Sequence, residues 1–483
     1  IFLYSLVQVN LVFNYLRARR RQKKAAQTLP ALAPEELPVV TVQLPIFNEQ
    51  YVIERLIDAV VEFDYPIDKL EIQVLDDSTD ETVQIAKEKV REVREARGLD
   101  IQYIHRTDRQ GFKAGALAEG LKVARGQFVA IFDADFVPRK DFLKRTVPYF
   151  TDPNVGVVQT RWEHINHGYS MLTRLQAFGL DAHFSVEQVG RNMSGHFINF
   201  NGTAGIWRKR CIQDAGGWHS DTLTEDLDLS YRAQLKGWKF HYLEEVGSPA
   251  ELPAAMNALK TQQFRWTKGA AECARKNLMK VLRSRDINFK TKLHAIFHLM
   301  NSFLFVCILA SAILSVPLLY TKANLEGMRE IFMFGVLFLF SLFFLALFYW
   351  VSFSNQHRKT WYRFPLFLIK FPMFLSMSMG LSLHNGVAVL EGYLGKKTPF
   401  VRTPKFNIRS RNDRWQHNKY LTNSINLVTL LEGFLALYFL AGILSAIPLN
   451  DYSLVPFHFL LSAGFGLVFY YSIYHSRNVA RSN

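Results

Sequence analysis

The sequence predicts two structural parts, an α/β domain with a mostly parallel, Rossmann-like sheet and an α-helical transmembrane bundle. Three observations support this prediction. Short apolar runs alternate with helical patterns between residues 38 and 290, as in βα repeats. Long apolar stretches with almost no charged residues follow that segment. The 483-residue chain is also 49% apolar and 14% aromatic, which is more than a soluble domain usually needs.

The α/β segment begins with four predicted strands, at residues 39–44, 71–75, 101–104 and 128–132. Helical patterns separate these runs, so we expect the strands to be parallel. Ligands of such sheets bind beyond the carboxyl ends of the strands. Asp76 and Asp77 follow the second predicted strand, and Asp133 and Asp135 follow the fourth. The four carboxylates are therefore expected on one rim of the sheet.

These carboxylates predict a site for Mg²⁺ or Mn²⁺, because both ions prefer oxygen ligands. For Asp133-Ala134-Asp135 alone, a turn or a helix cap is the alternative. The sequence has no glycine-rich phosphate loop of the Walker type, so a diphosphate would have to be held by the cation and by basic side chains. Lys113 opens a helix after the third predicted strand and is a candidate for contacting phosphate. The alternative is a solvated lysine in the first turn of that helix.

Two further motifs are candidates for the chemical step. In Thr224-Glu225-Asp226, crowded carboxylates raise one another's proton affinity, which favours Asp226 as a general base. A solvated acidic helix start is the alternative. In Gln262-Gln263-Phe264-Arg265-Trp266, Arg265 is suited to binding a diphosphate and Trp266 to stacking on a sugar ring. Alternatively, Arg265 and Trp266 dock a helix on the membrane side.

Four apolar stretches are long enough to cross a membrane, which takes about 20 helical residues. They are residues 293–321, 331–357, 421–450 and 452–476. Only the third contains an Asp, Glu, Lys or Arg, namely Glu432. Residues 1–16 have the character of the end of a further, truncated span, so further segments are expected before residue 1.

Charges beside these stretches predict the topology. A basic linker at 17–37 places the following domain on the cytosolic side, because basic residues near span ends stay inside. The basic run within 395–420 is also expected inside. Residues 364–394 then have both ends on one side, which predicts an amphipathic helix in the interface; a sixth span is the alternative. The net charge of +15 is thus attributed to contact with anionic membrane lipid and not with nucleic acid.

Asp76-Asp77, Asp133-Ala134-Asp135 and the two later motifs together resemble the signature set of processive family 2 glycosyltransferases. That group includes the cellulose, chitin and hyaluronan synthases. Four longer stretches are similar to the cellulose-synthase-like mannan and glucomannan synthases, namely residues 74–80, 111–117, 201–205 and 216–218. The resemblance extends over nearly the whole chain, and it specifies the class of reaction more closely than the sugar.

The resemblance implies a GT-A fold for the α/β domain and a role for each motif. Four residues would bind the donor nucleotide: Asp76, Asp77, Lys113 and Asp133. Asp133 and Asp135 would bind the metal. Asp226, with Glu225 beside it, would take the proton from the acceptor hydroxyl. Six residues would bind the acceptor: Asn201, Gly202, Thr203, Gln262, Arg265 and Trp266.

The resemblance also implies a gating loop at residues 395–420. Its Phe-x-Val-Thr-x-Lys pattern is matched at Phe400, Thr403 and Lys405, whereas Arg402 stands in place of the valine. Glu432, which lies within an apolar stretch, is predicted either to line the path of a polymer or to make a hydrogen bond between helices.

The resulting hypothesis is an integral membrane enzyme of an inner, plasma or Golgi-type membrane, with its catalytic domain in the cytosol. It would use GDP-mannose or UDP-glucose with Mg²⁺ or Mn²⁺ to polymerise and secrete a β-linked mannan, glucomannan or glucan. Accessory subunits are left open. One alternative is a non-processive enzyme that adds a single sugar to a lipid acceptor. A transporter or scaffold with a dead nucleotide-binding domain would lack the carboxylates that Asp133, Asp135 and Asp226 supply.

Overall fold

The computed structural model describes residues 1–24, 32–324, 335–357, 361–408, 410, 412–416, 418–421 and 425–482. Parts of four predicted segments lie outside the described residues: 25–31 of the basic linker, 331–334 of the second apolar stretch, 409, 411 and 417 of the gating loop, and 422–424 of the third apolar stretch.

Seven strands form the sheet of the α/β domain. They are β1 (Val40–Ile46), β2 (Leu70–Asp76), β3 (Asp100–His105), β4 (Phe128–Ile131), β5 (Val155–His164), β6 (Gly205–Arg208) and β7 (Lys239–Ala250). Their order in the sheet is β3-β2-β1-β4-β6-β5-β7. Only β6 runs antiparallel to its neighbours, so the predicted mostly parallel sheet and its first four strands are confirmed. The last three strands were not predicted from the sequence.

Helices cover both faces of this sheet, which explains why β1 and β2 are buried along nearly their whole length. The helices of the domain are α2 (Ile53–Val61), α3 (Thr82–Arg97), α4 (Phe112–Val123), α5 (Phe142–Thr146), α6 (Met171–Ala182), α7 (Gln188–Asn192), α8 (Lys209–Asp214), α9 (Glu225–Leu235) and α10 (Met256–Arg283). Short helical turns of other types occur at Pro34–Glu36, Ile67–Lys69, Val147–Thr151 and His183–Glu187. In α3, Ala86, Val90 and Val93 recur at helical spacing and face the sheet.

Among the described residues, four helices are long and apolar enough to cross a membrane, and they indicate a membrane-embedded protein. They lie within α12 (Phe303–Asn324), α13 (Val336–Gln356), α16 (Leu427–Leu449) and α17 (Val455–Ser482). The first apolar stretch is shorter than predicted, because a separate helix, α11 (Phe289–Leu299), precedes α12. Asn288 is the N-cap residue of α11, and its side chain accepts a hydrogen bond from the Thr291 backbone N–H at 2.8 Å.

The predicted interfacial helix at 364–394 is two helices, α14 (Arg363–Gly380) and α15 (Ser382–Leu394), which are bent by 48° relative to each other. Counted together, they are long and apolar enough for a fifth span. Their position in the interface stays a prediction.

The first helix, α1 (Phe2–Lys24), continues past the predicted end of the span at residue 16 and takes in the first part of the predicted linker. It is less apolar than the four candidate spans and packs against α13 and α7. That α1 crosses the membrane stays a prediction.

The long helix α10 connects the α/β domain to the apolar helices. It packs against α9 on one side and against α15 and α17 on the other. Lys260 of α10 pairs with Glu432 of α16, with 2.5 Å between Nζ and Oε2, and both side chains are buried. Of the two hypotheses for Glu432, the structure therefore favours a bond between helices.

Candidate active site

A cavity opens at the carboxyl ends of β1 and β4. The strand ends, the start of α9, the middle of α10 and residues 400–405 together enclose it. Most of the predicted site residues line this cavity: Asp77, Lys113, Asp133, Asp135, Asn201, Gly202, Glu225, Asp226, Gln262, Arg265, Trp266, Phe400, Thr403 and Lys405. Motifs as far apart in the chain as Asp77 and Lys405 thus meet at one place.

Asp76 and Asp77 occupy the same strand end but have different surroundings. The Asp77 carboxylate lines the cavity and accepts two hydrogen bonds from the Arg106 guanidinium, at 2.8 and 2.5 Å. Asp76 is completely buried beneath it, where its two oxygens accept hydrogen bonds from the Tyr103 hydroxyl and the Ser78 backbone N–H. Asp76 does not line the cavity, so any effect of it on a donor would pass through neighbouring residues.

Lys113 is held inside the cavity and is not a solvated helix-start lysine. Its Nζ pairs with Asp133 Oδ1 at 2.5 Å and donates to the Gly202 carbonyl at 2.9 Å. Glu225 lies 3.9 Å from the same nitrogen. These three acceptors fix the ammonium between the strand ends and the first turn of α9.

Asp135 has an oxygen that fits a cation. Its Oδ2 accepts from Lys405 at 2.6 Å, whereas its Oδ1 is buried and has no hydrogen-bond partner. A buried carboxylate oxygen without a partner is unfavourable unless a charge compensates it. Asp135 and Asp133, both oxygen donors on one rim, therefore fit a hard divalent cation such as Mg²⁺ or Mn²⁺.

A second acidic cluster in the described part of the chain has three possible metal ligands close together, His219, Asp221 and Asp228. Lys276 contacts Asp221 at 2.7 Å and Asp228 at 3.0 Å, and Arg232 contacts Asp228 at 2.8 Å. Because two side-chain cations already neutralise these carboxylates, the cluster is an ion-pair network that supports α9.

Glu225 and Asp226 form the first turn of α9. Glu225 is buried and Asp226 is half-buried in the wall of the cavity, so the solvated helix start is not what the structure has. The pKa of Asp226 is raised to about 7, mainly by burial and then by the neighbouring Glu225, against the opposing charge of Lys113. Burial also raises the pKa of Glu225. The predicted rise is thus confirmed for Asp226, but its main cause is burial and only then the crowding of carboxylates.

Gly202 allows the backbone to approach Asp226 closely. Its φ of +78° is left-handed, and a Cβ built on it would lie 3.1 Å from Asp226 Oδ2. Its neighbours hold this turn in place: the Thr203 hydroxyl accepts from the Asp133 backbone N–H at 2.9 Å, and the Asn201 backbone N–H donates to Gln159. Thr203 is fully buried and does not line the cavity.

The side chains of α10 form the opposite wall. Arg265 donates to the Thr403 hydroxyl at 3.0 Å, and its guanidinium lies over the ring of Phe400 with 4.7 Å to the centroid. The ring of Trp266 lies 6.3 Å from that of Trp162 between centroids. Arg265 and Trp266 line the cavity. This position does not agree with the alternative that they dock a helix on the membrane side.

The residues of the predicted gating loop that match the family pattern all lie in this cavity. We call residues 398–405 the strap. Phe400 stacks on Phe112 with 5.6 Å between centroids, and Lys405 pairs with Asp135. Arg402, which departs from the family pattern, pairs with Glu49 at 2.9 Å and lies over the ring of Tyr420.

The cavity also contains residues that the sequence did not single out, among them Phe47, Glu49, Arg109 and Trp162. Phe47 and Glu49 directly follow β1, and the rule that selected the residues after β2 and β4 would have found them. Burial raises the pKa of Glu49 to about 7, although Arg402 opposes the rise. Trp162 lies on β5, a strand without a predicted counterpart, so no signal pointed to it.

Residues 38–269 match the family model described as "Glycosyltransferase like family 2". The chain is 42% identical over 304 residues to glucomannan 4-beta-mannosyltransferase 1 of Oryza sativa subsp. japonica, covering 60% of this chain and 58% of that relative. It is 45% identical over 279 residues to glucomannan 4-beta-mannosyltransferase 2 of Arabidopsis thaliana, covering 57% of this chain and 52% of that relative. The chain thus matches little more than half the length of these curated relatives.

Among solved structures, a mannosyltransferase from Pyrobaculum calidifontis in complex with GDP-Man and Mn²⁺ has a similar fold. The TM-score is 0.53 at 21% identity, and the match covers 82% of this chain and all of that one. The similarity supports the GT-A fold of the α/β domain. The family model in turn shows that residues 38–269 are similar to family 2 glycosyltransferases.

Proposed function

We propose that this protein is a membrane-embedded, inverting, processive hexosyltransferase that builds a β-linked mannan from GDP-mannose, or a glucomannan when a nucleotide-activated glucose is also supplied. The observation that carries the proposal is the meeting of Asp226, Lys113, Asp133 and Trp266 in one cavity. The names of the plant relatives favour a mannosyl donor, and the Pyrobaculum structure with GDP-Man supports the same sugar nucleotide. UDP-glucose is the second donor to test.

The two sides of the cavity suit the two substrates. Lys113 and Arg265 carry positive charge toward the middle of the cavity, where a diphosphate would lie beside Asp133 and Asp135. These two aspartates would hold Mg²⁺ or Mn²⁺, and such an ion would neutralise charge on the departing nucleoside diphosphate. Trp266 and Trp162 offer flat apolar faces for the terminal sugar of the acceptor.

Asp226 is the proposed general base. Its carboxylate would accept the proton of an acceptor hydroxyl while that oxygen forms a bond to the anomeric carbon and the bond from this carbon to the diphosphate oxygen breaks. Attack opposite the leaving group inverts the anomeric configuration and gives a β-linkage. A pKa of about 7 suits this task, because the group is then ionised near neutral pH and still basic enough to take a proton.

We further propose that the cavity delivers its product toward the apolar helices. The acceptor wall belongs to α10, which packs against α15 and α17. A cytosolic position of the α/β domain, contact with anionic lipid and secretion of the polymer through the bundle are parts of this proposal. They rest on the charge pattern beside the apolar stretches and on the place of α10.

Purified protein in lipid nanodiscs, incubated with radiolabelled GDP-mannose or UDP-glucose and with Mn²⁺ or Mg²⁺, tests the proposal. We expect a high-molecular-weight product from GDP-mannose that an endo-β-mannanase degrades. A matched reaction with the Asp226→Asn variant should give none. A product carrying one hexose on a lipid would instead establish the non-processive alternative, and an active Asp226→Asn variant would refute the assignment of the base.

A further inference from the structure

Glu251 is a buried carboxylate to which the motifs give no role. It directly follows β7, and its side chain is 1% exposed. Three consecutive backbone N–H groups donate to it: those of Phe406 at 3.0 Å, Asn407 at 2.9 Å and Ile408 at 3.3 Å. Such a fan of main-chain donors is the kind of site that holds an anion tightly. Glu251 therefore anchors the segment that directly follows the strap.

Arg55 strengthens the same anchor. Its guanidinium lies 3.5 Å from Glu251 Oε2 and donates to the Asn407 side-chain oxygen at 2.8 Å. Asn407 has a left-handed φ of +58°, which lets three successive N–H groups turn toward one carboxylate. We call Glu251, Arg55 and residues 406–408 the clasp.

The clasp separates two parts of the predicted gating loop that differ in their surroundings. From the clasp onward, apolar side chains pack against α10 and the residues before α10. They form a small core of Ala254, Ala255, Ala258, Phe406, Ile408, Trp415 and Leu421. Before the clasp, the strap contacts the cavity through single side chains, such as Lys405 on Asp135 and Thr403 on Arg265. The packed part is held by burial, whereas the strap is held by single side-chain contacts and by its direct connection to the clasp.

The chain closes a ring of contacts around Asp135. Phe136, the next residue, pairs with Ala250 in an isolated antiparallel bridge, and Ala250 precedes Glu251. Glu251 binds the N–H of Phe406, and Lys405, the residue before it, returns to Asp135 at 2.6 Å. Because neighbouring Cα atoms are about 3.8 Å apart, a shift of the strap by one residue would break the contact between Lys405 and Asp135.

We propose that Glu251 is a positioning residue for transfer: it sets the register of the strap so that the Lys405 ammonium rests on the Asp135 carboxylate and competes there with a divalent cation. The inference rests on the proposed function, since it takes Asp135 as a metal ligand. It predicts that the clasp, although it contacts no substrate, controls how tightly the protein holds Mn²⁺.

The test uses the full protein in nanodiscs and measures two properties. One is the affinity for Mn²⁺, and the other is the protection of the strap against hydrogen exchange and trypsin. Mn²⁺ is titrated without donor sugar, and the EPR signal of free Mn²⁺ is followed. Lys405→Met, which removes the competing cation, should tighten Mn²⁺ binding by about tenfold. Glu251→Gln, which keeps the shape but loses the charge, should tighten it by about three- to tenfold. The double variant should bind Mn²⁺ like Lys405→Met alone, because both changes remove the same contact.

A second readout follows the strap itself. In Glu251→Gln, the backbone N–H groups of residues 406–408 should exchange hydrogen faster, and trypsin should cut sooner after Arg402 and Lys405. Glu245→Gln, an exposed glutamate on β7, is the matched control and should change neither readout. Activity is not needed for either measurement, so an inactive variant remains informative.

The possible outcomes distinguish a failure of this inference from a failure of the proposed function. If Glu251→Gln exposes the strap to exchange and trypsin but leaves Mn²⁺ affinity unchanged, Glu251 holds the backbone without positioning Lys405, and the inference is overturned. The inference is also overturned if the effects of Lys405→Met and Glu251→Gln on Mn²⁺ affinity are additive in the double variant. If no variant binds Mn²⁺ while the wild type still makes polymer in the presence of EDTA, the metal assignment in the proposed function fails, and the competition falls with it.

Discussion

The two walls of the cavity are built in different ways. The strand-side wall consists of Asp77, Asp133, Asp135 and Asp226, which follow strands directly or open α9. The helix-side wall consists of α10 and the strap, which meet through contacts such as the one from Arg265 to Thr403, 138 residues apart. In the proposed function, the first wall carries the groups for bond formation. The second wall connects those groups to the apolar helices.

This difference has a physical cause. A parallel sheet brings its strand ends to one rim whatever the loops are, so the strand-side wall follows from the strand order. No comparable rule predicts the helix-side wall from the sequence. Buried ion pairs, Lys260 with Glu432 and Lys405 with Asp135, hold it in place, and each depends on the whole tertiary structure. Changes on the first wall should therefore alter chemistry, and changes on the second should alter stability and access.

The largest expected effect is on the strand-side wall. Asp226→Asn keeps the size of the side chain but cannot accept the acceptor proton, so the rate of sugar incorporation should fall by about a thousandfold or more. Thermal unfolding should change little. If the variant keeps more than a tenth of the wild-type rate, the carboxylate does not act as the base and the comparison of the walls breaks down.

On the helix-side wall, Lys260→Met leaves the Glu432 carboxylate buried without its cation. The free energy of unfolding should drop by about 3 kcal/mol or more. Thermal unfolding in nanodiscs measures this. The double variant Lys260→Met with Glu432→Met, which removes both charges, should recover much of the loss. Equal losses in the single and double variants would show that the pair does not join α10 to α16 energetically.

Gly202→Ala sharpens the comparison because one substitution both strains a left-handed backbone and crowds the proposed base. The added Cβ would press on Asp226 Oδ2, and a misplacement of the base by a fraction of an ångström should lower the rate by about a hundredfold. Gly195→Ala is the matched control. It has a similar φ of +70° but nothing within 4 Å of the added Cβ, so it should lose about 1 kcal/mol of stability and almost no activity. Similar rates for the two variants would contradict the close approach.

The last prediction concerns the dependence of the rate on pH. Burial raises the pKa of Asp226 from 3.8 to about 7, so the carboxyl remains protonated, and unable to act as a base, over a wider range of acidic pH. The rate should therefore rise by about tenfold per pH unit from pH 5 toward 7 and level off above about pH 8. Asp221→Asn, which changes an exposed carboxylate, should leave the profile unchanged. A rate that stays flat between pH 5 and 8 would exclude Asp226 as the titrating base.

The sequence predicted the strand-side wall almost completely. Asp133 and Asp135 were expected on the rim because they follow an apolar run, and β4 ends two residues before Asp133. Asp76 met the same rule, but Tyr103 and Ser78 hold it below the surface. The local sequence predicts that a residue follows a strand, but it does not predict which of two neighbouring side chains points into the cavity. The packing of β3 against β2 decides that.

The sequence by itself determined the class of fold, the apolar helices and the order of the reactive motifs, because hydrophobic periodicity and strand-end position are local properties of the chain. Only the tertiary structure decided that Lys405 rests on Asp135, that Glu251 holds the residues after it, and that Glu432 pairs with Lys260. Each of these contacts joins segments more than 150 residues apart, and a charged side chain carries no local mark of the partner it will meet once both are buried.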